Sequence, residues 1–398
     1  MPQREWFTSY SAKRSTRPLP FDGRDSAIGG DALFAAPSPP TQRVLFEPEV
    51  LKETVEGPTP LWREGPMTEA ELEAQRHEEE ASQDEQSIED DRSQDEGEED
   101  DDIEDSQLRM ACEDGDTERA RRCLENGSKV DESDEHGATP LFLASERAHV
   151  DCMRLMLEHG AEVNRGANHG ATPLLIACCN GHVDASRVLL DAKADPSKRT
   201  KGGRDALGAA AQLGRTACVK LLVERGAKLE TQDNKGATPL YMAAQNGHDE
   251  VVSLLIELGA DVDARDDEGT TPLWIAAAAG HDLAVEALIR ARADVLLPDN
   301  FGSTALSAAA QEGHTACARL LLENGAETGL AVWAAARQGH FEIARLLVAY
   351  GAELDKPASD GSSPVKAARA AGYDDVADML VDAGARDGPL LASFKHHF

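Results

Sequence analysis

Six glycines stand 33 residues apart in this chain: Gly137, Gly170, Gly203, Gly236, Gly269 and Gly302. Each opens a similar phrase. Gly137-Ala138-Thr139-Pro140-Leu141 is followed by Gly170-Ala171-Thr172-Pro173-Leu174 and Gly203-Arg204-Asp205-Ala206-Leu207. Then come Gly236-Ala237-Thr238-Pro239-Leu240, Gly269-Thr270-Thr271-Pro272-Leu273 and Gly302-Ser303-Thr304-Ala305-Leu306. Eight residues beyond each leucine stands His or Arg: His149, His182, Arg215, His248, His281 and His314. A fixed period of this length restricts the chain to a repeat architecture, one supersecondary unit stacked on copies of itself.

The residue types of one period define the unit. Gly269 sits where a tight turn needs positive φ, which glycine adopts freely. Thr271 can cap a helix with its hydroxyl, and Pro272 at the first helical position forfeits no hydrogen bond. Ile275–Ala279 make a slim, Ala-rich helix that neighbours can approach closely, and Gly280 ends it. A second helix follows His281, with apolar residues at Val285, Leu288 and Ile289. The closing phrase is clearest in Leu254-Leu255-Ile256-Glu257-Leu258-Gly259-Ala260-Asp261. One such helix pair cannot bury its own apolar face, so the units must stack.

The succession Thr-Pro-Leu, Gly-His, Leu-Leu, Gly-Ala resembles the ankyrin repeat family, whose period is also 33 residues. That resemblance implies an all-α helix-turn-helix solenoid of about nine repeats with short turn fingers, spanning residues 106–387. The units fall near 106–133, 134–166, 167–199, 200–232, 233–265, 266–298, 299–325, 326–357 and 358–387. The first carries Arg119 and Arg122 where inner units are apolar, as a solvent-facing terminal cap requires. The eighth is short: Leu306 to Val332 is 26 residues, so seven, essentially the finger, are missing. The fourth lacks the Thr-Pro pair and carries Gly202, Gly203 and Gly208. Weak layers in a solenoid act locally, so units four and eight are expected to exchange amide hydrogens fastest.

Outside the repeats the composition changes. Residues 1–66 form a Pro-rich arm with scattered apolar pairs, of which Val44-Leu45-Phe46 is the best candidate docking motif. Its first twenty residues are Ser- and Arg-rich, which leaves organelle targeting open beside the preferred reading of a disordered arm. Residues 67–105 form an acidic low-complexity segment, with 20 Asp/Glu between 69 and 105 against Arg76 and Arg92. Such a run is expected to stay extended and solvated, either as a spacer or as a sink for basic proteins. Ser82, Ser87 and Ser93 each have an acid three residues on and are candidate phosphorylation sites for acidophilic kinases. Residues 388–398 form a C-terminal tail.

The formal net charge of −33 repels phosphate backbones, so no nucleic acid is expected as a direct ligand. No apolar run approaches the ~20 residues of a membrane span. Cys112, Cys123, Cys152, Cys178, Cys179, Cys218 and Cys317 make an odd count with no framework spacing, and read as reduced, buried thiols of a cytoplasmic or nuclear protein. The histidines recur one per unit, too far apart for shared metal ligation, and each is expected to order its own interhelical turn. No metal and no cofactor is expected. There is no nucleophile elbow, phosphate loop or kinase phrase, so catalysis is not expected either.

The remaining class is a binding module. The resemblance implies that the fingers and the ends of the inner helices line a concave surface for a protein partner. Carried over position by position, the finger candidates are Glu135, His136, Asn168, His169, Asn234, Lys235, Asp267, Glu268, Asn300 and Phe301. The inner-helix ends add Glu146, Arg147, Gln245, Asn246, Gln311, Glu312, Arg337 and Gln338. For any one of them simple exposure to water is the preferred reading; Phe301 is the exception, because an exposed aromatic at a finger is costly unless it packs or binds. In one place the chain departs from the family: where histidine commonly follows Thr-Pro-Leu stand Phe142, Leu175, Tyr241, Trp274 and, in the irregular unit, Trp333. This ladder is either inter-repeat core or an apolar ridge beside the groove, and the exposure of Trp274 separates the two.

Overall fold

Every inner repeat but the eighth begins where a side-chain oxygen can close a helix. In the computed structural model, which describes residues 98–358 and 360–386, Thr139, Thr172, Thr238 and Thr271 each accept the backbone amide three residues on. A proline follows each of them at the first helical position, where its missing N–H is no loss. Asp205 takes over in the fourth repeat, accepting the Gly208 amide at 2.8 Å, so losing Thr-Pro there does not lose the cap.

The described residues form eighteen helices and no strand, all within the unit Asp91–Phe398. Repeat one pairs α1 (Glu98–Asp114) with α2 (Thr117–Glu125), repeat two α3 (Pro140–Glu146) with α4 (Val150–Glu158), and repeat three α5 (Pro173–Cys179) with α6 (Val183–Asp191). Repeat four has α7 (Ala206–Gln212) and α8 (Thr216–Glu224), repeat five α9 (Pro239–Asn246) and α10 (Asp249–Glu257), and repeat six α11 (Pro272–Ala279) and α12 (Asp282–Arg290). Repeat seven has α13 (Ala305–Glu312) and α14 (Thr315–Glu323), repeat eight α15 (Ala331–Gln338) and α16 (Phe341–Ala349), and repeat nine α17 (Pro364–Ala371) and α18 (Asp374–Asp382). The first helix of each repeat packs on the first helix of the next, and the second helices do the same. The chain is therefore an all-α helix-turn-helix solenoid, and α1 begins inside the acidic segment.

The core runs the length of the stack. Leu141, Leu174, Leu207, Leu240, Leu273 and Leu306 are fully buried, as are Val332 and Val365 at the same step in repeats eight and nine. Each contributes roughly 2 kcal/mol of apolar burial that an isolated helix pair could not obtain. Phe142, Leu175, Tyr241 and Trp333 are buried too, which places most of the ladder in the inter-repeat core. Trp274 is only partly buried. Repeat eight keeps its place between α13 and α17 despite its short connection. Its first helix starts at Ala331, and Leu330 before it supplies no side-chain cap.

The histidines do something other than the sequence reading assigns. Nε2 of His149, His182, His248 and His281 reaches back a full layer to the carbonyl oxygens of Glu113, Glu146, Gln212 and Gln245, at 3.0, 2.9, 2.9 and 3.2 Å. Arg215 Nε donates in the same way to Cys179 O at 2.8 Å. Carbonyls at a helix C-terminus have no intrahelical donor, and the ring of the next repeat supplies one. A carbonyl only accepts, so Nε2 carries the proton. Each histidine is thus a clamp between layers, not a support for its own turn. In repeat eight His340 makes the same bond to Gln311 O at 2.9 Å across the shortened step. Among the described residues no group of three His, Cys, Asp or Glu is arranged to hold a metal. Likewise, no helix there is long and apolar enough to cross a membrane.

The cysteines are all free thiols, six of them buried and Cys179 partly so. The Pro-rich arm, its Val44-Leu45-Phe46 motif and targeting alternative, Ser82, Ser87, Ser93, the acidic segment before Glu98 and the C-terminal tail lie outside the described residues.

Candidate partner-binding surface

Four of the fingers are built from an Asp-x-x-Gly turn. Asp134 Oδ1 accepts the amides of His136 at 2.9 Å and Ala138 at 2.7 Å. Asp233 holds Lys235 and Ala237, Asp266 holds Glu268 and Thr270, and Asp299 holds Phe301 and Ser303 in the same way. A short carboxylate satisfying two turn amides fixes the finger without using its outward side chains. This aspartate recurs at multiples of the 33-residue step, with Ala167 and Thr200 in its place in fingers three and four, and that spacing was the available signal for it.

A backbone ladder then joins finger to finger. Asn168 N donates to His136 O, Lys201 N to His169 O, Asn234 N to Gly202 O, Asp267 N to Lys235 O, and Asn300 N to Glu268 O, all between 2.9 and 3.2 Å. On alternate fingers an asparagine adds a second bond. Asn168 Nδ2 reaches Glu135 O at 2.8 Å, Asn234 Nδ2 reaches Lys201 O at 2.7 Å, and Asn300 Nδ2 reaches Asp267 O at 3.0 Å. Three of the candidate binding residues therefore spend their amide hydrogens on the scaffold.

The other finger candidates differ in availability. Glu135 and His136 are exposed and lie 3.5 Å apart as an exposed pair. Lys235 and Asp267 are exposed, and Glu268 is partly buried. Phe301 is 58% exposed at the tip of the seventh finger. The His169 ring stands edge-on to Phe142, with centroids 6.4 Å apart, and burial followed by the Lys201 ammonium lowers its basicity. Fingers six and seven are acidic. Burial first, then Asp266, Asp299 and Asp267, raise the Glu268 carboxyl, and burial raises that of Asp299. Arg265 braces this region by donating to Gly269 O at 2.9 Å and to Pro298 O.

At the inner-helix ends several candidates act through their main chain. Glu146 O accepts both His182 Nε2 and Asn180 Nδ2, while burial raises the Glu146 carboxyl. Gln245 O and Gln311 O receive the histidine clamps, and Gln311 Nε2 donates to Glu312 at 3.2 Å. Asn246 Nδ2 bonds Met242 O of its own helix at 2.8 Å. Arg147 pairs with Glu113 at 3.2 Å, and Arg337 lies over the Trp333 ring, 5.1 Å from its centroid. Gln338 is exposed. Carbonyl acceptors of this kind carry no side-chain signature, so sequence reasoning had no means of finding them.

The ladder residues meet the next finger overhead. Tyr241 Oη lies 3.1 Å from Thr270 Oγ1, and Trp333 Nε1 donates to Ser362 Oγ at 2.8 Å. Trp274 occupies the same register beneath Ser303, but the Ser303 hydroxyl turns to Ser307 Oγ at 3.3 Å. The buried Trp274 Nε1 is left without an acceptor.

Comparison with known proteins agrees with this geometry. A family model described as ankyrin repeats (3 copies) matches residues 108–200, 193–266 and 259–331. Among solved structures, the crystal structure of the human ASB11 ankyrin repeat domain is similar, with a TM-score of 0.51 and 28% sequence identity. That match covers 55% of this chain and 96% of the other. No curated protein matches the chain.

Proposed function

This chain belongs to the ankyrin repeat family, and from that premise we propose that it is a non-enzymatic scaffold or adaptor that holds a protein partner on its concave face. Ankyrin repeats are in general protein-protein interaction modules. The observation that carries the reading here is the division of labour in the fingers. Their main-chain amides and Asp-x-x-Gly carboxylates fix the row, while Glu135, His136, Lys235, Asp267 and Phe301 stand exposed on it. A row whose main chain is ordered in advance loses little further backbone entropy when a partner docks. The inner-helix residues Arg337 and Gln338 extend the same surface.

A second reading rests on the acidic segment, residues 69–105, as an electrostatic sequestering arm for basic partners. One experiment separates the two. The full chain, a chain lacking residues 1–105 and a Lys235→Ser/Asp267→Ser/Phe301→Ser variant are immobilised and exposed to cell extract at low and high salt. Groove binding predicts that one protein is kept at both salts without the arm and is lost from the triple variant. Capture that needs the arm, survives the triple variant and vanishes in salt would overturn the groove reading in favour of the arm.

A further inference from the structure

Finger four reverses the charge of the chain. The stretch from Lys193 to Arg204 holds five Lys/Arg against one acid, Asp195, in a chain whose formal net charge is −33. The equivalent stretches 127–138, 259–270 and 292–303, at fingers two, six and seven, hold one base each against four, five and two acids. Asp195 spends its carboxylate on Ser197, whose amide and hydroxyl donate to it at 2.9 and 2.6 Å. Lys198, Arg199 and Lys201 are exposed, as are Arg165 just before finger three and Lys235 on finger five. Among the described residues no carboxylate forms an ion pair with Lys198, Arg199 or Lys201.

The finger is held in place without these side chains. Lys201 donates its amide to His169 O at 2.9 Å, and its carbonyl accepts Asn234 Nδ2 at 2.7 Å. Finger three lies so close that a Cβ on Gly170 would stand 3.1 Å from Arg199 O and from Thr200 Cα. The turn also lacks a carboxylate of its own. Asp233 Oδ1 accepts the Lys235 and Ala237 amides at 2.8 and 3.0 Å, but finger four has Thr200 at that position, and its buried Oγ1 has no hydrogen-bond partner. The matching amides of Gly202 and Arg204 have no acceptor among the described residues. Their dipoles add to the field of the cations, where a turn carboxylate would offset it. Finger three, with Ala167 there, has no turn carboxylate either.

We propose that finger four docks a carboxylate-rich segment of the protein partner, with Lys198, Arg199 and Lys201 pairing with its side chains and Arg165 and Lys235 flanking them. This names the chemistry of one part of the surface proposed above and rests on that reading. Charge complementarity selects the occupant, since the island is the one place on the row where an acidic chain meets attraction instead of repulsion. Its extent selects a short peptide over nucleic acid or a bilayer. A long polyanion laid along the row, or a flat anionic membrane, would also meet the acids of fingers two, six and seven. A segment that crosses the row at finger four avoids them.

The test is the fluorescence anisotropy of a labelled oligoglutamate peptide titrated with the full chain at low salt, with oligoglutamine of equal length as the neutral control. Oligoglutamate should bind, more weakly as salt rises, and oligoglutamine should not. Lys198→Ser/Arg199→Ser/Lys201→Ser should weaken binding about tenfold or more. Arg154→Ser/Arg187→Ser/Lys220→Ser removes the same charge from exposed positions on α4, α6 and α8 and should change it less than about twofold. Thr200→Asp restores the turn carboxylate, so it should melt no lower than the parent and still bind about threefold more weakly. Absence of oligoglutamate binding would overturn the proposal, as would equal weakening by the two triple variants or undiminished binding by a folded Thr200→Asp chain. Tighter binding of single-stranded DNA or of phosphatidylserine vesicles than of the peptide would overturn it in favour of that ligand. A chain that keeps a partner from extract on its groove but binds no oligoglutamate loses this inference alone, and the scaffold reading stands.

Discussion

His281→Ala, with Gly247→Ala beside it, tests whether the histidine clamps hold the layers together. Removing the ring leaves Gln245 O without the donor that reaches it at 3.2 Å, which should cost about 1 kcal/mol. Gly247 ends α9 at φ +70°, and a Cβ there would lie 2.4 Å from Nδ1 and 2.6 Å from Cε1 of His281. Repeat two shows that the ring can shift and keep its bond, since Ala148 holds the equivalent position and His182 Nε2 still reaches Glu146 O at 2.9 Å. Gly247→Ala should therefore cost only its backbone part: ~1–2 kcal/mol for an L-residue in the left-handed conformation, less ~0.5–1 because alanine is less free than glycine in the unfolded chain. Urea unfolding of the two single variants and of the double variant measures both costs. Hydrogen exchange should quicken in α9 to α12 for His281→Ala and not at the ends of the stack. A cost of His281→Ala under about 0.5 kcal/mol, or faster exchange spread evenly over the stack, would refute the clamp argument.

Four further outcomes follow from particular residues. Ala148 closes the corresponding turn of repeat two at φ +62°, so Ala148→Gly should stabilise by roughly 0.5–1 kcal/mol, seen as a higher urea midpoint. Burial raises the Asp299 carboxyl, so the folded state binds its proton at higher pH than the unfolded chain and this contribution falls as pH rises through that raised value. Asp299→Asn keeps an oxygen for the Phe301 and Ser303 amides, and should melt higher than the parent at pH 7 by a margin that closes as pH drops through the carboxylate range. A lower melting point at pH 7 would reverse the assigned sign. Trp333→Phe loses the bond to Ser362 and should cost about 1 kcal/mol more than Trp274→Phe, whose Nε1 has no acceptor to lose. Finally, amide exchange should be faster at the start of α15, which has no side-chain cap, than at the start of α7, which Asp205 caps. Slower exchange in α15 than in α7 would show that the missing finger is compensated elsewhere.

The repeat architecture was legible because its determinants are local: Thr-Pro at helix starts, glycine at positive φ, leucine on the buried face. What the sequence hid lies between repeats. A histidine after glycine has the same neighbours in sequence whether it bonds its own turn or a carbonyl 36 residues back, and only the stacked geometry distinguishes them. Repeat four shows the same limit from the other side. Losing Thr-Pro reads as a weak layer, yet Asp205 supplies the cap oxygen there, and it is the first helix of repeat eight that has no side-chain cap. The ladder of large residues after Thr-Pro-Leu could be read either as core or as ridge. Packing settled Phe142, Leu175, Tyr241 and Trp333 as core and left Trp274 partly open.

The same distinction bears on where a partner would be read. Polar residues on the fingers look equivalent in sequence, but Asn168, Asn234 and Asn300 tie alternate fingers to the one before. Replacing them would loosen the row as a whole, so a loss of binding there would say nothing about contact. The Arg337 guanidinium is engaged over Trp333. The exposed Glu135–His136 pair is worth little to stability, and both side chains can be exchanged at small cost. Lys235, Asp267 and Gln338 carry no side-chain bond that the stack depends on. Substitutions at Glu135, His136, Lys235, Asp267 and Gln338 are therefore the ones whose effect on a partner would report on the interface itself, with the scaffold left intact.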